Sequence, residues 1–252
     1  MLVVCYGGGT DSTAELIEMV KRDIRPDLIL FADTGGERPE TYWYIVMFSL
    51  WLVGKGFPPI TTVKKVDKNG DIMTLERNCL EQKMLPSLAY GFKTCSQKFK
   101  AAPQDKFCNH FPLAIETWKR DEKVVKAIGY EFGEERRAKN YDDNKYEYWY
   151  PLIEWEMDRD ACKKAIADAG LPQPGKSSCF FCPSMRKTEI FELRDSHPDL
   201  LKRALAMESN AELTVIPGLG RSYAWNDLIR NDANQIKMFV DVVEQTCGCY
   251  DG

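Results

Sequence analysis

The sequence predicts an α/β fold: a mostly parallel twisted sheet with flanking helices, followed by a helical C-terminal extension. Three observations predict it. Short β-rich runs alternate with helical patterns from residue 2 to residue 66, the signature of a parallel sheet. A run of three glycines separates the first β-rich run from the first helical pattern, where a tight strand-to-helix turn is needed. Beyond residue 155 the apolar spacing becomes helical.

Leu2 to Tyr6 reads as the first strand and stops at Gly7, Gly8 and Gly9. Asp11 to Arg22 carries apolar residues at Ala14, Leu16, Ile17 and Val20, a helical spacing. Asp27 to Ala32 repeats the strand signal, Pro39 starts a second helix, and Pro59 to Val66 supplies a third strand. The apolar run Tyr42 to Val53 is too short to span a membrane and reads as a buried helix. Val124 to Tyr130 is placed as the fourth strand. Asp158 to Ala169 is an amphipathic helix ended by Gly170, and Pro172, Pro174 and Gly175 form a linker into Cys179. The expected division is a nucleotide-binding α/β domain over 1–155 and a helical region with a cysteine motif over 156–252.

At 252 residues and 44% hydrophobic composition the chain can bury a sizeable core. Its net charge of -4 gives no global positive field for nucleic acid, although Arg136, Arg137 and Lys139 form a local basic patch. The first apolar residues run into glycines rather than into an export signal, so a soluble cytoplasmic protein is expected, with no membrane partner. In that setting nine cysteines point to reduced thiols that bind metal or do chemistry.

In Val4-Cys5-Tyr6-Gly7-Gly8-Gly9-Thr10-Asp11-Ser12-Thr13 the missing Cβ atoms let consecutive backbone N–H groups line a concave anion site. The helix that follows adds its positive end, and Thr10, Ser12 and Thr13 supply hydroxyls for phosphate or sulfate. The plainer alternative is a tight turn with Asp11 or Ser12 as helix cap. No lysine follows as in a Walker-type loop, and Ser12 occupies the last glycine place of a dinucleotide-binding G-x-G-x-x-G.

These residues resemble the S-G-G-x-D-S signature of the PP-loop ATP pyrophosphatases, with Tyr6 in place of the first serine and the glycine run extended. Phe31-Ala32-Asp33-Thr34-Gly35-Gly36-Glu37-Arg38-Pro39-Glu40-Thr41-Tyr42 resembles the F-x-D-T-G-x-E-x-P-E-x-Y segment of phosphoadenosine phosphosulfate (PAPS) reductases. It follows the second strand at its carboxyl end, where open α/β sheets place ligands. Cys95 in Thr94-Cys95-Ser96-Gln97-Lys98-Phe99-Lys100-Ala101-Ala102-Pro103 resembles that family's C-T-x-x-Y-K-x-x-P, and Cys179-Phe180-Phe181-Cys182-Pro183 its C-x-F-C-P. Ile128 to Arg137 resembles its I-G-x-x-x-x-E-x-x-R, with Arg137 at the arginine, and Tyr150 to Ile153 its P-L-I-x-W region.

The resemblance covers roughly residues 1 to 185 and implies an adenine-nucleotide alpha-hydrolase-like sheet that binds ATP with Mg²⁺. It implies that Gly7, Gly8, Gly9, Thr10, Asp11, Ser12, Thr13, Asp33, Thr34, Gly35 and Glu37 contact the nucleotide. Asp11, Ser12 and Arg137 would be catalytic, the guanidinium binding phosphate bidentately. Cys95, Cys179, Cys182 and Cys249 would ligate a [4Fe–4S] cluster. Tetrahedral zinc and a redox dithiol stay open as alternatives.

The expected activity is splitting of ATP at the α-phosphate to activate an acceptor for sulfur transfer, of the nucleic-acid thiolation or phosphorothioation type. A nucleic-acid acceptor and a sulfur-donor protein would be its partners. One alternative is a sulfonucleotide reductase with a cysteine nucleophile. Its C-terminal E-C-G-L-H is matched only by Cys247-Gly248 before Cys249. The other alternative is a nucleotide-binding regulatory subunit without turnover. Cys5, Cys79, Cys108, Cys162, His110 and His197 are assigned no role, and Gly218 to Tyr223 is either a second anion-facing turn or the break between two helices.

Overall fold

The computed structural model describes residues 1–86, 88–89, 92–139 and 143–232. In chain order the elements begin with β1 (Leu2–Tyr6), α1 (Thr10–Lys21), β2 (Leu28–Asp33), α2 (Pro39–Gly54) and β3 (Ile60–Lys64). Next come α3 (Leu75–Glu81), the two-residue strands β4 (Leu88–Ala89) and β5 (Phe92–Lys93), and α4 (Thr94–Ser96). A π-helical turn over Gln97–Ala101 leads into α5 (Ala102–Cys108), followed by α6 (Pro112–Lys119), β6 (Val124–Ala127) and β7 (Tyr146–Trp149). Then follow α7 (Pro151–Glu154), α8 (Arg159–Asp168), α9 (Lys187–Ser196), α10 (Pro198–Asn210) and helical residues 225–232. Among the described residues no helix is long and apolar enough to cross a membrane.

The predicted α/β fold is present. Five strands pair in the order β3-β2-β1-β6-β7, all parallel. Central β2 is buried at all six residues, as a strand covered on both faces must be. Alternate residues feed two apolar layers. Val4, Tyr6, Ile29 and Phe31 pack with Leu16, Ile17 and Met19 of α1, Phe48 and Leu52 of α2, and Ala165 and Ile166 of α8. Val3, Leu28, Leu30 and Val124 pack with Cys108 of α5 and Ala114 of α6 on the opposite face. β7 completes the sheet beside β6 and was not among the expected strands; its Tyr-Glu-Tyr-Trp alternation is the signal that marks it.

The chain divides into one unit of Met1–Leu75 with Thr94–Cys179 and a second of Glu76–Lys93 with the residues from Phe180 onward. The boundary expected at residue 155 is thus corrected. α8 belongs to the sheet unit, because Cys162, Ala165 and Ile166 join the apolar layer above β1 and β2. Asp158 caps this helix through Ala161 N at 2.8 Å, and Gly170 closes it at φ +73°.

The expectation for Tyr42–Val53 also needs correction. The helix is there, but α2 covers the sheet with one stripe only: Tyr44, Ile45, Phe48 and Leu52 are buried, while Trp43 is 63% and Leu50 69% exposed.

In the second unit, α10 and the stretch after it are organised by one carboxylate. Buried Glu208 accepts from Leu219 N (2.6 Å), Trp225 N (2.8 Å), Asn226 N (2.8 Å) and Asn226 Nδ2 (2.7 Å). A Cβ at Gly218 would lie 2.2 Å from Glu208 Oε1, so only glycine lets the turn come this close. These N–H groups serve an internal acceptor, and Gly218 to Tyr223 is the break between helices.

Candidate nucleotide site

β1 lies between β2, which follows it in the chain, and β6, which returns on its other side. The direction of strand succession reverses there, and the crevice at the carboxyl ends of such strands is where open α/β sheets bind ligands. The glycine loop leaves β1 at this point.

Gly8 adopts φ +75°, a left-handed conformation that costs other residues energy. A Cβ there would meet Ser177 Oγ and Thr41 Cγ2, each at 3.3 Å. Gly9 caps α1 with extended backbone and has no side chain of its own to bond the helix's first turn. The orphan N–H groups of that turn and the positive end of the helix axis therefore remain for an anion.

The hydroxyls divide their work. Ser12 Oγ accepts from Gly7 N (3.0 Å) and bonds Gly9 O (3.4 Å), fixing the loop from within. Thr13 is fully buried and shares a 3.2 Å hydrogen bond with Tyr6 OH, so its hydroxyl faces the core instead of the loop. Tyr6, where the PP-loop signature has serine, packs against Phe31 and Phe48 below.

The turn after β2 closes against the same loop. Asp33 Oδ1 accepts from Gly35 N (2.7 Å) and Tyr42 OH (2.8 Å), and its Oδ2 pairs with Lys64 at 3.1 Å. Thr34 Oγ1 accepts from Gly36 N and lies 3.1 Å from Cys179 Sγ. Gly35, at φ +75°, leaves no room for a Cβ, which would be 2.5 Å from Thr74. Ser177 Oγ bonds Gly7 O at 2.5 Å and lies 3.3 Å from Glu37 Oε2, which joins the two loops through one hydroxyl. Glu37 is buried with Lys100 at 3.9 Å, and burial raises its carboxyl above the usual range.

Gly7 to Ser12, Asp33 to Glu37 and Cys179 are thus brought together. The Arg137 guanidinium bonds Glu134 at 2.5 and 2.6 Å and stacks 4.2 Å over the Tyr130 ring. A cation at the loop is Arg159, which the sequence reading missed. It bonds Asp11 at 2.5 Å and lies 3.6 Å from Glu131, offsetting carboxylate charge that would repel an anion at this helix end. Burial first, and then Asp11, raises the Glu131 carboxyl.

Glu15, one turn further along α1, was missed as well. It is fully buried, and neither carboxylate oxygen has a hydrogen-bond partner among the described residues. Burial, with Asp11 second, holds its carboxyl well above the usual range. Gly129, in the loop leaving β6, fits against it: a Cβ there would lie 2.9 Å from Glu15 Oε2 and 3.0 Å from Ser12 N. Ser177, Glu15 and Arg159 sit outside any local motif, and only the packing of α8 and of the Lys176–Cys179 stretch onto the loop reveals them.

Among the described residues Cys95, Cys179 and Cys182 form no disulfide, and all three are partly exposed. Among the described residues no group of three or more His, Cys, Asp or Glu side chains is placed to hold a metal ion. Cys247 and Cys249 lie outside the described residues. Cys5 and Cys162 are pushed up to about 12 by burial, which leaves them without thiolate at neutral pH.

No protein-family model matches the chain, and no curated protein matches it.

Proposed function

We propose that the chain binds ATP on the Gly7–Ser12 loop and splits it at the α-phosphate to activate an acceptor for sulfur transfer. What supports this is the first turn of α1: it leaves β1 at the crevice of the sheet, presents N–H groups that its glycine N-cap has no side chain to bond, and is braced by the turn after β2.

In the reaction an acceptor oxygen attacks the α-phosphorus and loses its proton, and the bond to the bridging oxygen breaks with its electron pair leaving on pyrophosphate. A sulfur nucleophile from a donor then displaces AMP from the acceptor. The work of this protein is positioning and charge compensation. The first-turn N–H groups hold phosphate oxygens, Arg159 offsets the charge of Asp11, and the Ser177 contacts keep the loop from relaxing away.

Pyrophosphate release from ATP and Mg²⁺ is the test, with the Gly9→Ala variant as comparison. Release by the wild type that falls at least tenfold in Gly9→Ala supports the assignment. Absence of release, together with no stabilisation of the fold by ATP, overturns it.

A further inference from the structure

A second concave site lies in the sheet unit, at the carboxyl end of β3. It encloses about 420 Å³ and carries Lys64 and Lys65 on one wall, with Lys98, Ala102, Pro103 and Lys106 along the facing π-turn and α5. No acidic residue lines it. Lys64 is tied to Asp33, whereas the Lys65 ammonium sits 4.2 Å over the Phe99 ring, and burial and the charge of Lys98 lower its pKa. Cations gathered in a cleft repel one another until an anion enters, and such a cleft concentrates anions even on a chain whose net charge is -4.

The side chains narrow the ligand. Lysines act as point charges without the fork that arginine offers to a single terminal phosphate. Phe99, the aromatic beside them, is buried beneath Lys65 and offers no face for a base to stack on. The arrangement suits repeated phosphates and reads no base.

Its position ties it to the glycine loop. Asp33 and Lys64 are paired end residues of β2 and β3, so the pocket opens on the same sheet edge as the loop after β1, two strands or roughly 10 Å away. We propose that this pocket anchors the sugar–phosphate backbone of a nucleic-acid strand, which is the acceptor of the reaction above; this rests on that reaction and names its substrate class.

The experiment is fluorescence anisotropy with a short fluorescein-labelled single-stranded oligonucleotide, titrated at several salt concentrations against wild type and a Lys98→Gln/Lys106→Gln double variant. Unfolding temperatures establish that both are folded. The expected result is binding that weakens with salt, at least tenfold weaker in the double variant, with the slope of log affinity against log salt reduced by about 1.4 for two lost contacts. Equal affinity and slope in the two proteins overturns the proposal. So does displacement of the oligonucleotide by adenosine 3′,5′-bisphosphate at far lower concentration than by unlabelled strand, because the pocket is then a small-molecule site. Pyrophosphate release measured alongside separates the two ideas: lysine-dependent binding without release removes the reaction and keeps the anchor, and release without strand binding removes the anchor.

Discussion

Gly8 and Gly9 adjoin, yet they ask different things of the backbone. Gly8 needs a left-handed φ of +75°, whereas Gly9 is extended at φ -109° and its hypothetical Cβ meets nothing closer than Ser177 Cβ at 3.7 Å. Gly8→Ala is therefore expected to lower stability by about 1–2 kcal/mol in urea unfolding. Gly9→Ala should keep the fold and weaken ATP binding, by ~1.4 kcal/mol or more, as read by calorimetry. Glu15 makes a prediction in pH. The folded state keeps its proton above the ordinary 4.5, whereas the unfolded chain releases it there, so unfolding sheds a proton and stability falls as pH rises beyond that value. The loss is up to ~1.4 kcal/mol per pH unit until the folded carboxyl itself ionises. Glu15→Gln removes that component, and its unfolding midpoint should gain on the wild type as pH is raised from 5 to 8. The glycines of this site were legible in the sequence because a missing side chain is itself a signal. Glu15 was not, because a carboxylate amid helical spacing looks solvated until Gly129 closes over it.

At the scale of elements, α2 shows why an apolar run is an incomplete instruction. Phe48 is fully buried, and Leu50, two residues on, is 69% exposed. Phe48→Ala should cost about 3–5 kcal/mol and Leu50→Ala about 0.5 kcal/mol or less, both from urea unfolding. Composition marked the helix correctly, but only the sheet beneath decides which stripe is covered. The loop held by Glu208 is the counterpart in the second unit. Glu208→Gln keeps the size and loses the charge that faces three backbone N–H groups and one amide, an expected loss of about 3 kcal/mol. A Gly-x-Gly sequence invites an anion reading, and the anion turns out to be the protein's own.

Across the whole molecule, strand order decides where chemistry can occur. Strands β1, β2, β3 and β6 were readable from β-rich runs and their boundaries, but their spatial order was not, and that order puts the loops after β1 and β6 side by side. Gly129→Ala tests the consequence. Its methyl would press on Ser12 and Glu15, so a change in the β6 loop should weaken ATP binding at the β1 loop and lower the unfolding midpoint together. Arg159 and Ser177 escaped notice for the same reason: they reach the loop from 148 and 170 residues away.

The interrupted course of the chain through its two units has a consequence for the order of its making. Residues 76–86 are fastened to α10 and to the second residue after its end through Glu76 to Arg203, Leu80 O to Asn210, and Lys83 to Glu212. These partners are 127, 130 and 129 positions later. As the polypeptide leaves the ribosome, the sheet's strands are complete once β7 has emerged, while Glu76, Leu80 and Lys83 still wait for their partners. Ribosome-stalled chains ending near residue 179 should therefore resist protease across the sheet and be cut within 76–86, a cleavage that the finished protein suppresses.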